Sequence, residues 1–392
     1  MTRTRPAAQA ARSAQRTRGT PAGVTALHGD TLIAPQQKVL VLQGGGALGA
    51  YQVGVYEALH ERGIEPDWVI GTSIGAINAA LIAGNAPEDR LPRLREFWAR
   101  VEHAAPTEGL RLWPGLGNLF NNLSLVSRGI PSFFTPNPAA WAGTQAQVGV
   151  EAASYYRTAP LASTLAELVD FDRLSSCRPR LTVGAVNVRT GRMHYFDSRD
   201  TRIGAEHVMA SGALPPAFPA IRVDGDPYWD GGIYSNTPIE AVLDDKPRRD
   251  SLIFAVHMWQ PTGPEPESIW QVMSRQKDIQ YASRADSHIA RQQQIHHLRH
   301  IIRQLARKVP VAERETPEFR ELASWGCGTT MHVVRLLAPR LDGEDHTKDI
   351  DFTPAGIRAR WQAGYADALR VIAREPWSAP VDPMDGVVVH AA

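Results

Sequence analysis

The sequence predicts an α/β fold, a parallel sheet followed by a mainly helical C-terminal extension. Three observations carry this expectation. Short apolar runs alternate with helical patterns between Lys38 and Ala83. Glycine-rich turns close two of those runs. After Pro266 the chain is nearly free of Gly and Pro from Ser268 to Val309.

Lys38–Gln43 (KVLVLQ) is a short apolar run ended by glycines and reads as a buried strand. Ala50–Arg62 then sets Val53, Tyr56 and Leu59 at helical spacing, and Gly63 stops that helix. Asp67–Gly71 (DWVIG) reads as a second strand and Ile74–Ala83 as a small-residue helix. Strand, helix, strand and helix at this spacing argue for a parallel sheet. Arg180–Val188 and Met193–Phe196, joined through Thr190-Gly191, read as a hairpin. Ala210–Pro219 is rich in small residues and proline. Tyr228–Asn236 is a turn cluster, and Leu252–Val256 is a further buried strand. Ser268–Val309 reads as a helical hairpin with an apolar stripe of Leu298, Ile301, Ile302 and Leu305. A basic amphipathic helix touching a membrane is the alternative, since Arg291, Arg299, Arg303, Arg307 and Lys308 flank the stripe. His296, His297 and His300 have no carboxylate or thiol beside them, which speaks against a metal site. Met331–Leu337 reads as a strand and Phe352–Ala373 as a final amphipathic helix.

Residues 111–145 have no period and are rich in Gly, Pro, Asn and Trp. Trp113, Leu116, Leu119, Phe120, Phe133, Phe134 and Trp141 lie there. The segment reads either as a lid or binding loop, or as a loop whose aromatic side chains pack on the core.

Composition sets the class. Hydrophobic residues are 43% and charged residues 21% of the 392, a balance suited to a soluble globular chain. A net charge of +1 gives no pull toward nucleic acid. Cys177 and Cys327 are too few for a disulfide framework or a four-ligand zinc site, so a cytoplasmic location is expected. No apolar run approaches the ~20 residues needed to span a bilayer. Residues 1–29 hold Arg3, Arg5, Arg12, Arg16 and Arg18 but no acidic residue and no apolar signal core. They fit a disordered tail, a weak anchor to anionic lipid, or a mitochondrial-type presequence.

Three segments carry the chemistry. Gly71-Thr72-Ser73-Ile74-Gly75 is a G-x-S-x-G between a strand and a helix, a turn that exposes a serine hydroxyl. The helix after it aims amides and a positive dipole end at the charge that develops in acyl transfer. Gly44-Gly45-Gly46-Ala47-Leu48-Gly49 can bring several backbone N–H groups onto one oxygen, as an oxyanion hole requires. The same letters satisfy a dinucleotide fingerprint. That rival wants an acidic residue at the far end of the next strand, whereas Asp67 precedes it. Asp230-Gly231-Gly232 offers a carboxylate in a turn. His257, at the end of an apolar strand, would complete a Ser–Asp–His order.

The three segments in this order resemble the patatin-like phospholipase family. VLQGGGALGAYQVGVYEAL (41–59) is similar to its glycine loop and first helix. GTSIGAINAALIAG (71–84) resembles its nucleophile elbow. ASGALPPAFPAI with YWDGG (210–221, 228–232) is similar to the segment leading to its catalytic Asp. The resemblance implies a parallel or mixed sheet sandwiched by helices. It implies Ser73 as nucleophile and Asp230 as base, with amides of Gly45 and Gly46, and Ala47 as a further donor, holding the oxyanion. It also implies an ester hydrolase acting on lipids without a metal or other cofactor. Leu48 departs from the pattern, since many members carry Arg or Lys there. The expected layout is a basic tail at 1–37, a patatin-like domain at 38–245, a helical extension at 246–375 and a tail at 376–392. A binding or scaffold protein on a lipid surface, with little chemistry, is the competing class. Peripheral contact with an anionic membrane is the expected partner interaction besides the lipid ester itself.

Overall fold

The computed structural model describes residues 37–103, 128–176, 178–342 and 344–391. Trp113, Leu116, Leu119, Phe120, Cys177 and the Arg-rich N-terminus lie outside these residues. The first half follows the expected alternation. Strand β1 (Gln37–Leu42) leads through the glycine loop into α1 (Ala50–Glu61). Strand β2 (Trp68–Gly71) leads through the serine turn into α2 (Ile74–Ala83), and α3 (Pro87–Val101) follows. The hairpin pairs β3 (Arg180–Asn187) with β4 (Met193–Asp197), antiparallel. Short β5 (Ile221–Val223) and β6 (Asp226–Asp230) form a second antiparallel pair. Strands β7 (Ser251–His257), β8 (Met331–Leu337) and β9 (Val387–Ala391) come from the C-terminal third.

Among the described residues these strands form one nine-stranded mixed sheet, ordered β9-β8-β7-β1-β2-β3-β6-β5, with β4 beside β3. Contacts from β9 through to β3 are parallel. Strand β9 falls in the stretch expected as a tail. Alternate residues of the central strands face opposite ways, as the two-residue period of a strand demands. Leu40, Leu42, Val69, Phe254 and Val256 enter one apolar cluster with α1, α2 and α3. Val39, Val41, Trp68, Ile70 and Ile253 enter a second cluster with Ile239, Leu243 and Ile289. Both faces are therefore covered, which is why these strands read as unbroken apolar runs.

Two features position the site. First, β2 and β6 lie end to end on one edge of β3. Gly71 pairs with Val183, and Asp230 pairs with Ala185, while β4 pairs with both positions from the other edge. Second, the last helix, α6 (Pro354–Arg374) once α4 (Ala205–Ser211) and α5 (Ile269–Lys308) are counted, crosses α1 closely. A Cβ on Gly54 would meet the Trp361 carbonyl oxygen at 1.9 Å, and one on Gly364 the Tyr51 carbonyl oxygen at 2.0 Å. Tyr51 donates to Asp367 at 2.8 Å across the same crossing.

The region read as a helical hairpin is a single 40-residue helix, α5. Its polar length carries no Gly or Pro that would turn the chain, so the helix continues to Lys308. Leu298 and Leu305 of the expected stripe are each 58% exposed rather than packed. The three histidines bond backbone carbonyls: His296 that of Leu243, His297 that of Met384, and His300 those of Pro383 and Thr329. No helix among the described residues is long and apolar enough to cross a membrane.

Candidate active site

Ser73 stands between β2 and α2 with φ 57° and ψ −126°. For a non-glycine residue this backbone costs on the order of 1–3 kcal/mol and persists only where surrounding structure enforces it. The enforcement is visible. The Ser73 amide donates to the Ser211 carbonyl at 3.2 Å and to its hydroxyl at 3.1 Å. The Ser211 hydroxyl in turn donates to the Gly184 carbonyl at 2.6 Å. A Cβ on Gly71 would lie 2.2 Å from the Gly75 carbonyl oxygen, and one on Gly75 would lie 2.3 Å from that of Leu42. Only glycine at both positions allows so sharp a turn.

Asp230 ends β6 and is 2% exposed. The Gly232 amide donates to its carboxylate at 2.7 Å. Burial pushes its pKa from 3.8 up to about 6, against the hydrogen bonds from the Ser73 hydroxyl and the Gly232 amide, which favour the ionised form. The end-to-end arrangement of β2 and β6 brings these two residues together.

The glycine loop approaches from β1. The Gly44 amide is already engaged, donating to the Asn236 carbonyl at 3.1 Å. This corrects the expectation that Gly44 shares in the oxyanion hole, because its one donor is spent on anchoring the loop. Its carbonyl accepts from the Trp259 indole at 2.8 Å and from Asn236 Nδ2 at 3.1 Å. The amides of Gly45, Gly46 and Ala47 have no hydrogen-bond partner among the described residues. Gly46 sits at φ +56°, where a Cβ would meet the Asp349 carbonyl oxygen at 2.2 Å.

Ser73, Asp230 and Gly44–Gly46 line one cavity of about 220 Å³. Its walls are largely apolar. Phe133, Phe134, Tyr156, Phe218 and Phe352 form a continuous aromatic group, with Phe134 and Tyr156 centroids 4.9 Å apart and Phe133 and Phe352 6.3 Å apart. Two aromatic residues of the irregular segment thus reach the site, whereas Trp141 is 89% exposed. His257 does not line the cavity. It is buried in β7, its Nε2 has no partner among the described residues, and burial holds its pKa down to about 3. A serine–histidine pairing therefore has no geometric support. Among the described residues no group of three or more His, Cys, Asp or Glu side chains is arranged to hold a metal.

Sequence reasoning missed Ser211, Trp259, Tyr281, Asp349 and Phe352. None carries a local signature. Each acts at the site through tertiary packing, and four of the five come from beyond residue 245.

Residues 40–243, just over half of the chain, match the sequence profile described as patatin-like phospholipase. Residues 279–384 match a second profile, described as patatin phospholipase. The chain is similar to lysophospholipase nte1 of Aspergillus terreus, with 62% identity over 65 residues, which are 16% of this chain and 4% of that protein. It is 41% identical over 58 residues to triacylglycerol lipase ptl3 of Schizosaccharomyces pombe, 15% of this chain and 12% of that one. The chain thus spans only a small part of these curated relatives. Among solved structures, VipD from Legionella pneumophila aligns with 87% of this chain and 67% of its own, at 17% identity and a TM-score of 0.38.

Proposed function

The chain belongs to the patatin-like phospholipase family, and from that premise we propose that it hydrolyses acyl esters of lipids through Ser73 and Asp230. The observation that carries the reading is a serine in a strained elbow whose hydroxyl bonds a buried carboxylate inside an aromatic cavity. Asp230 takes the Ser73 proton as Oγ attacks the ester carbonyl. A free aspartate is a weak base at neutral pH, and a pKa near 6 brings this one closer to the operating range. The amides of Gly45 and Gly46, with Ala47 as a further donor, receive the developing oxyanion. Loss of one such donor costs about 3–4 kcal/mol of barrier in related chemistry. The protonated Asp230 then delivers its proton to the departing alkoxide. Water, activated by the same carboxylate, hydrolyses the acyl-enzyme.

The aromatic walls suit an acyl chain. The dyad as proposed supplies both nucleophile and base from the chain's own side chains. Phospholipase A, lysophospholipase and general esterase activity all use this one site. Exposed Leu298 and Leu305 among the arginines of α5 support peripheral contact with an anionic lipid surface. Retention of binding to anionic vesicles by a Leu298→Ser, Leu305→Ser protein would remove that support.

The deciding experiment pairs a fluorophosphonate probe with hydrolysis of mixed lipid esters. Wild-type protein is expected to be labelled and to release fatty acid. Ser73→Ala is expected to lose both while keeping its unfolding midpoint. A folded wild-type protein that neither labels nor hydrolyses any ester would instead support the scaffold class.

A further inference from the structure

A residue beyond the matched 40–243 segment holds the glycine loop from behind. Trp259 follows the end of β7 and is 2% exposed. Its indole N–H donates to the Gly44 carbonyl at 2.8 Å, and Asn236 Nδ2 donates to the same oxygen at 3.1 Å. That carbonyl and the Gly45 amide belong to one trans peptide unit. The Gly45 N–H therefore points away from the side that the two donors occupy. The same unit borders the nucleophile, since a Cβ on Gly44 would come within 3.1 Å of Ser73 Cβ. Trp259 is itself fixed. Gln43 Oε1 accepts from the amides of Met258 and Trp259, while Gln43 Nε2 donates to Thr237 Oγ1 at 2.7 Å and to the Tyr281 carbonyl at 3.2 Å. All four hydrogen-bonding positions of this buried side chain are thus used. The Tyr281 ring packs on the indole with centroids 4.9 Å apart. Lys348 Nζ, bonded to buried Asp278 at 2.7 Å, stands 5.2 Å from the indole centre, within reach of a cation–π attraction.

We propose that Trp259 is a positioning residue for ester hydrolysis, whose indole N–H sets and polarises the Gly44–Gly45 peptide so that the Gly45 amide meets the developing oxyanion. This rests on the reading of Ser73 and Asp230 as an ester-hydrolysing pair with Gly45 as an oxyanion donor. Three consecutive glycines have no side chains to hold their own backbone, so the loop needs fixing from outside. An oxyanion donor is worth most when it is aligned before the charge develops. An amide free to swing would have to be ordered during the reaction itself. A hydrogen bond accepted by a peptide carbonyl also strengthens the N–H of the same unit as a donor. Trp259 supplies both effects without touching the reacting atoms. A tryptophan that served only as cavity wall would act through its ring, and its N–H would be dispensable.

The test uses the full chain, p-nitrophenyl butyrate as substrate, and two inhibitors of matched shape, decyl trifluoromethyl ketone and the corresponding alcohol. The Ser73 oxygen adds to the ketone carbon, the hydroxyl proton passes to Asp230, and the negative charge settles on the former carbonyl oxygen. The alcohol fills the same space and forms no oxyanion. Trp259→Phe keeps an aromatic ring and removes the N–H. Its kcat is expected to fall by about tenfold to thirtyfold with KM within about threefold. Its affinity for the ketone should fall in parallel with kcat/KM, while its affinity for the alcohol stays within about twofold of wild type. Asn236→Ala, which removes the other donor to the Gly44 carbonyl, should show the same split. If Trp259→Phe does not fold, the split in Asn236→Ala decides. An unchanged kcat in folded Trp259→Phe overturns the inference, as does an equal loss of affinity for ketone and alcohol, which would reduce Trp259 to a wall of the cavity. Both results leave the hydrolase reading standing. Wild type inert toward every ester and blind to the ketone overturns that reading as well.

Discussion

Replacing Asp230 by Asn should make the protein more stable and inactive at once. The side chain is fully buried, and its pKa is raised from 3.8 to about 6, net of the hydrogen bonds from Ser73 and Gly232. Each unit corresponds to about 1.4 kcal/mol. Keeping the carboxylate ionised therefore costs the native state about 3 kcal/mol at pH 8. The cost is absent below about pH 4, where the group is protonated in folded and unfolded chains alike. It grows as pH rises through the window of about 4 to 6 and is complete above it. Asparagine keeps the shape and an acceptor for the Gly232 amide but carries no charge. Urea unfolding followed by tryptophan fluorescence should show Asp230→Asn gaining about 3 kcal/mol at pH 8 and about half of that at pH 5. Ester hydrolysis by the same protein should fall by at least about a thousandfold. A variant less stable than wild type at pH 8, or a gain independent of pH, would refute the assignment of a desolvated base. Retained turnover would refute the dyad.

Three more outcomes are expected. The kcat/KM of the wild type should rise about tenfold per pH unit up to about pH 6 and level off above it, because only ionised Asp230 accepts the serine proton; an inflection near pH 4 would contradict this. Gly46→Ala puts a methyl group 2.2 Å from the Asp349 carbonyl oxygen at a left-handed backbone position, and kcat should drop by about 10- to 100-fold with a lower unfolding midpoint. Normal kcat in that variant would mean that the loop amides are not donors. His257→Ala should lose about 1–3 kcal/mol of stability yet keep kcat/KM within about threefold, as measured on a short-chain ester; a folded but inactive variant would restore histidine to the mechanism.

The parts of the site that were legible in the sequence are those whose chemistry is local. A G-x-S-x-G between an apolar run and a small-residue helix announces a turn, because glycine is demanded by backbone contacts within a few residues. The glycine loop after β1 is legible for the same reason. Asp230 was readable only through its company. As a tripeptide it is an ordinary turn, and its burial depends on how β6 meets β3. The strands at 251–257 and 331–337 could be read from their apolar runs, but not their place beside β1, because strand order is set by contacts between residues some 200 apart. Tyr281 and Asp349 had no legible role. One is a single tyrosine on a polar helix and the other an aspartate in a loop, and both acquire meaning only when the C-terminal region closes over Gly46. The single long helix at 269–308 departs from the expected hairpin because no Gly or Pro turns the chain there, and Leu298 and Leu305 of its stripe stand in solvent.

Strand β3 works as a ruler. It carries the serine turn opposite Val183 and the aspartate opposite Ala185, a separation of about 7 Å along one edge. A slip of β6 by one residue would displace Asp230 by about 3.4 Å and turn its carboxylate to the other face of the sheet. The same slip would send Tyr228 out of the apolar cluster it shares with Val183, Ala185 and Phe196. Misregistration is thus penalised by the core before chemistry is ever tested. The proposed pair comes into being only in the fully assembled sheet, so on this reading partly folded chains, whose exposed apolar surface would draw them to lipid, would reach it without the means to cut it.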